Sequence, residues 1–221
     1  MHKVLALFGM IFLVTYASDT RAEDLRITAF GDSLVQGYGL PQGDGLVPQL
    51  QHWLQEQGAE VRLTNAGVSG DTTAGGAARI DWTLADQPQG LIVLFGGNDL
   101  LRGLPPLQAR ENLRQILVAA QAQEVEVLLI GMQAPGNFGP DYKASFDSIY
   151  AELAQEFGAL LHPDAFAGIR AVAGDEPAAA QAYMQGDNIH PNAKGVALNV
   201  AALGPVVLQL AARIEAAAAK S

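Results

Sequence analysis

Residues 25–37 read Leu25-Arg26-Ile27-Thr28-Ala29-Phe30-Gly31-Asp32-Ser33-Leu34-Val35-Gln36-Gly37. The first six are rich in residues that suit a pleated, buried strand, and the glycine, aspartate and serine after them form turns. The same strand-then-turn grammar recurs along the chain. Runs at 61–65, 91–95, 125–131 and, more weakly, 160–162 join 25–30 as predicted strands. Between them Leu46, Leu50, Trp53 and Leu54 share one helical face, as do Leu113, Ile116, Leu117 and Ala120, and also Phe146, Ile149, Tyr150, Leu153 and Phe157. Strands alternating with helical stretches predict an α/β fold, a parallel sheet with helices on both faces. The last stretch sets Val196, Val200, Leu203, Val207, Leu210 and Ile214 at steps of four and three. Gly204-Pro205 inside it predicts a kink or break.

The chain has 221 residues, 49% hydrophobic and 16% charged, which suits one domain with a sizeable core and excludes disorder as the main state. Asp plus Glu number 23 against 13 Lys plus Arg, a formal net charge of -10. So acidic a chain lacks the basic face that nucleic acid or anionic lipid requires. Cysteine is absent, which removes disulfides, thiol nucleophiles, Cys-ligated zinc and a lipid-modified N-terminal cysteine.

The N-terminus reads as a targeting segment. A basic start at Met1-His2-Lys3, an apolar run over 4–14 and small residues up to Thr20-Arg21-Ala22 match a secretory signal peptide over 1–22. Cleavage is expected after Ala22, with Ala17 as second choice; a buried first helix is the competing reading. The run is shorter than the ~20 residues of a membrane-spanning helix, and no other segment reads as a span. The expected mature chain is one domain over 23–221, periplasmic or secreted, without a stable membrane anchor.

In an open α/β sheet ligands sit beyond the carboxyl ends of the strands. The turns there are Gly31-Asp32-Ser33-Leu34, Asn65-Ala66-Gly67-Val68-Ser69-Gly70-Asp71-Thr72 and Gly96-Gly97-Asn98-Asp99, with Asp187-Asn188-Ile189-His190-Pro191-Asn192 ahead of the last helix. Each alone is ordinary turn chemistry. Together they supply a hydroxyl, an imidazole, a carboxylate, an amide and flexible backbone, the parts needed for acyl transfer. Ser33, at a strand end, is the favoured nucleophile and Ser69 its best rival. Of the histidines, His52 lies on an amphipathic helix and His162 closes the weak strand. His190 follows Asp187 by three residues, so a carboxylate can hold one ring nitrogen and leave the other for Ser33. Two other readings of that pair remain open: a cap on the following helix with Pro191 as its first residue, and half of a zinc site. Asp32, Asp71 and Asp99 read as turn or cap residues. Val35 stands where a Gly-x-Ser-x-Gly elbow needs its second glycine, which weakens an α/β-hydrolase reading.

These turns resemble the GDSL hydrolases. Gly31-Asp32-Ser33-Leu34 is similar to the block that names the family, and Ser33, Gly70, Asn98 and His190 match, in order, its SGNH signature. Asp187-x-x-His190-Pro191 resembles its last block. The likeness extends from Ile27 to about Gly195 and is strongest to a bacterial periplasmic subgroup of arylesterases, acyl-CoA thioesterases and lysophospholipases. It implies a three-layer α/β/α sandwich with a five-stranded parallel sheet in the flavodoxin-like order 2-1-3-4-5. It also implies a serine esterase or lipase acting through an acyl-enzyme, with Ser33, Asp187 and His190 catalytic and Ser33, Gly70 and Asn98 forming the oxyanion hole. Neither cofactor nor metal is implied.

Leu100, Leu101, Leu104 and Phe138 are the candidate acyl-binding residues. The expected partner is a small-molecule ester or lipid substrate, thioesters and lysophospholipids included, and the expected state is a monomer or weak oligomer. A carbohydrate O-acetyl esterase on the same scaffold and a non-catalytic periplasmic binding protein are the rival readings.

Overall fold

The computed structural model describes residues 24–174 and 177–220; the expected signal peptide lies outside the described residues. Five strands, β1 (Leu25–Gly31), β2 (Val61–Gly67), β3 (Gly90–Leu94), β4 (Glu126–Ile130) and β5 (Leu160–His162), form one sheet. Its order is β2-β1-β3-β4-β5 and every pairing is parallel, as the resemblance implies. Parallel neighbours need crossovers, and helices supply them. α1 (Ser33–Gln36), α2 (Leu46–Glu56), α3 (Thr73–Leu84), α4 (Gly97–Leu101) and α5 (Pro106–Ala122) are followed by α6 (Pro140–Phe157), α7 (Ala167–Ala173), α8 (Pro177–Ala180) and α9 (Ala193–Ala218). α3, α5 and α6 pack side by side on one face of the sheet, and α2, α9 and α7 on the other. The three layers follow.

All five strands fall where the sequence puts them, with ends moved by a residue or two. β3 is buried along its whole length, and the stripes on α2, α5, α6 and α9 supply most of the remaining core. β1 sits between β2 and β3, so a segment near the start of the chain occupies an interior position in the sheet, next to the central β3.

Two expectations fail in α9. The helix runs unbroken from Ala193 to Ala218 with Pro205 inside it. Proline removes the N–H that would bond the carbonyl of Ala201. Both residues lie on the exposed side, so that carbonyl can turn to water while Val200, Leu203, Val207 and Leu210 stay locked in the core. Gly204 contributes as well: a Cβ there would come within 2.5 Å of the Trp53 ring from α2. Second, α9 does have the length and mean hydropathy (1.8) of a membrane span, contrary to the sequence reading. Its apolar stripe is spent on α2, α7 and the sheet instead.

Candidate active site

β1 ends at Gly31, and Asp32 caps α1 by accepting the N–H of Leu34 on Oδ1 at 3.0 Å. Ser33 is therefore the first residue of a short helix, where its own N–H has no intrahelical partner. Its Oγ lies 2.8 Å from Nε2 of His190, and Nδ1 of His190 lies 2.6 Å from Oδ2 of Asp187. The three side chains form one continuous chain of hydrogen bonds.

The turn that carries the pair is built by Asp187 itself. Its Oδ1 accepts the N–H groups of Ile189 (2.9 Å) and His190 (3.0 Å), which leaves Oδ2 for the ring. Asn188 between them takes the left-handed conformation (φ 56°), which Asn tolerates better than most residues. The His190 N–H, then its ring, then the Ile189 N–H hold the Asp187 carboxyl down to about 2. The capping alternative does not hold, because Asn192 caps α9 and Pro191 lies outside the helix, bridged to Met184. Asn192, one residue beyond the proline, accepts the Lys194 and Gly195 N–H groups and so takes the cap position.

On the other side of Ser33 stand the loops that leave β2 and β3. Gly70 has φ 85°, a conformation that a side chain would strain, and its carbonyl accepts from Nη2 of Arg102 at 2.8 Å. Asn98, in α4, donates from Nδ2 to the Asp71 carbonyl at 2.9 Å and at a longer 3.4 Å to Oδ2 of Asp32. Ser33, Gly70 and Asn98 thus gather because β2, β1 and β3 are neighbours. Asp99 is buried and accepts from both the N–H and the hydroxyl of Thr73, fixing α4 to α3. Asp71 pairs with Arg79 at 2.7 Å. Asp32 is 2% exposed, and burial pushes its carboxyl up to about 6 against the opposing pull of the Leu34 N–H, the Asn98 amide and His190.

The rivals separate cleanly. Ser69 donates to Gln36 at 3.0 Å on the surface. His52 is exposed and pairs with Glu56. His162 is buried at the end of β5, and burial lowers its basicity despite Asp164 nearby. Among the described residues no group of three or more His, Cys, Asp or Glu side chains converges as metal ligands would.

A cavity of about 480 Å³ opens beside Ser33, Asn98 and His190. Leu100, Leu101 and Phe138 line it as expected, while Leu104 does not and only lends its carbonyl to the Tyr142 hydroxyl at 2.8 Å. The sequence reading missed Met132, Phe166 and Ile189, which complete the apolar wall. Ile189 had a signal, since it sits inside the Asp187–His190 turn; Phe166 had none, because only the path of the β5–α7 connection brings it there. Outside this cavity the Tyr38 ring packs against the imidazole, with ring centres 4.8 Å apart.

The sequence pattern of the GDSL-like Lipase/Acylhydrolase family matches residues 29–198. Esterase TesA of Pseudomonas aeruginosa is 37% identical over 190 residues, covering 86% of this chain and 90% of that one. Thioesterase 1/protease 1/lysophospholipase L1 of Escherichia coli (strain K12) is 36% identical over 183 residues, 82% of each chain. Among solved structures, AlinE4, described as an SGNH-hydrolase family esterase, is 44% identical. It superimposes with a TM-score of 0.67 over 85% of this chain and 96% of its own.

Proposed function

The chain belongs to the GDSL-like lipase/acylhydrolase family, and from that premise we propose that it is an esterase whose nucleophile is Ser33. One observation carries the proposal: the unbroken run of hydrogen bonds from Ser33 Oγ through His190 to Asp187, at 2.8 and 2.6 Å. As Oγ attacks the substrate carbonyl, Nε2 of His190 takes the hydroxyl proton, and Asp187 holds the imidazolium that forms. His190 then gives that proton to the departing alkoxide or thiolate, leaving an ester on Ser33. Water enters, loses its proton to Nε2 and attacks the acyl carbon. The acid leaves as Oγ regains the proton.

The charge on the carbonyl oxygen is met by the N–H groups of Ser33 and Gly70 and by the Asn98 amide. Each such donor typically contributes about 2.7–4 kcal/mol in the transition state. Asn98 has two amide hydrogens. The bond to the Asp71 carbonyl orients the group, and the longer contact to Asp32 is the one an oxyanion replaces.

The apolar wall of Leu100, Leu101, Met132, Phe138 and Ile189 supports an acyl chain over a sugar as the group bound beside Ser33. The substrates are then aryl and alkyl carboxylic esters, with thioesters and lysophospholipids within the same chemistry. The N-terminal pattern over 1–22 supports export to the periplasm or medium, where the enzyme acts as a monomer or weak oligomer without a membrane anchor.

A fluorophosphonate, followed by peptide mass analysis, tests the nucleophile. Ser33 should carry the label and Ser33→Ala should lose both label and ester hydrolysis. Label on Ser69, with Ser33→Ala still active, overturns the assignment. Rates on p-nitrophenyl esters from acetyl to palmitoyl then read the acyl preference.

A further inference from the structure

Arg79 lies on α3, the helix that follows the Gly70 loop, and its guanidinium reaches back under that loop. Nε donates to Oδ2 of Asp71 at 2.7 Å, Nη1 to the carbonyl of Ala66 at 3.0 Å, and Nη2 to the carbonyl of Gly31 at 2.9 Å. The group lies 4.3 Å above the centre of the Phe30 ring and 5.7 Å from that of Phe95. Its side chain is only 20% exposed.

Each anchored point flanks a proposed oxyanion donor. Gly31 precedes Ser33 by two residues, Ala66 is the penultimate residue of β2, four ahead of Gly70, and Asp71 follows Gly70 directly. The Asp71 carbonyl in turn orients the Asn98 amide. One planar, rigid fork lying over the Phe30 ring thus ties together the ends of β1 and β2, which lead to the Ser33 and Gly70 donors, and the Asp71 turn whose carbonyl orients the third. A lysine has the charge but not the fork, and could hold at most part of this arrangement.

We propose that Arg79 is a positioning residue for the oxyanion hole, holding the Ser33, Gly70 and Asn98 donors at the separation that the tetrahedral intermediate requires. This rests on the serine-esterase reading above. Misplacement of such a site by about 1 Å can cost on the order of 10²-fold in rate.

The test uses the mature chain with Arg79→Lys, Asn98→Ala and the double variant, each shown by thermal melting to be folded at the assay temperature. Arg79→Lys should lower kcat about 10- to 100-fold with KM within about twofold, and the loss should shrink in the Asn98→Ala background, because both changes damage one device. An unchanged kcat, a rise in KM alone, or losses that multiply in full would each overturn the role. If Arg79→Lys does not fold, Asp71→Asn, which removes the carboxylate partner at constant volume, takes its place in the same comparison. A wild-type chain that takes no fluorophosphonate at Ser33 brings down the esterase reading and this inference with it. A labelled wild type with an undiminished Arg79→Lys brings down this inference alone.

Discussion

At the carboxyl ends of the strands a cavity of about 480 Å³ holds Ser33, Asn98 and His190, while a larger one, about 840 Å³, opens at the amino ends between Gln87, Gln121, Glu124, Phe157, Arg213 and Ile214. Size would choose the second. Backbone direction chooses the first. Where strands of a parallel sheet end, the chain turns into helix N-termini, and unpaired N–H groups point into the opening. At the opposite end the helices arrive with their carbonyls, and side chains are used to satisfy them. Arg213 does so by donating to the carbonyl of Gly158, the residue that caps the end of α6. A site that stabilises negative charge can be assembled cheaply at only one of these ends.

The sharpest way to break this contrast is to remove a donor at the carboxyl end. Asn98→Ala should lower kcat by about 10²–10³ with little change in KM, measured on a p-nitrophenyl ester at saturation. A raised KM with kcat intact would make Asn98 a simple substrate contact and strip the carboxyl end of its special status.

A smaller effect concerns the acid buried beneath the same end. Burial raises the Asp32 carboxyl from 3.8 to about 6, so between these values the folded chain binds a proton more tightly than the unfolded one. The associated stability is present at low pH and is lost as pH rises through that window. Asp32→Asn keeps an acceptor for the Leu34 N–H but does not titrate there. Relative to wild type, the variant should therefore gain on the order of 2 kcal/mol between about pH 4 and about pH 7, read by urea denaturation at the two pH values. Parallel curves for the two proteins would show that the buried carboxyl exacts no cost.

The smallest effect is expected at the amino end. Arg213→Ala should lower stability by about 0.5–1.5 kcal/mol, the usual worth of one hydrogen bond, and leave kcat untouched. A drop in kcat would couple the two ends and undo the comparison.

The same division governs what the sequence disclosed. The strands and their turns are local in origin, written in β-branched runs followed by Gly, Asp and Asn, and they lie where that grammar puts them. Ser33 stands out because residue type and place coincide at a strand end, and His190 because it follows Asp187 by three residues ahead of the last helix; the family resemblance joined them. Pro205 misled because its cost depends on whether Ala201 faces water, which only the packing of α9 decides. Leu104 misled for a related reason: α4 presents Leu100 and Leu101 to the cavity, but the next turn swings away toward Tyr142. Phe166, placed by the β5–α7 connection, leaves no periodic trace at all.

The early place of β1 in the chain has a consequence in time. Ser33 and His190 are 157 positions apart in sequence, yet they share a hydrogen bond. A chain emerging from the ribosome carries its nucleophile from early on and waits almost until its last helix for the base. Contacts between such distant segments form late, once the intervening loops have closed. A chain made only as far as β5, however much of its sheet has condensed, still lacks the His190 that the proposed mechanism uses as its base. On the proposed mechanism, ester cleavage waits for the segment just ahead of α9 to dock beside Ser33.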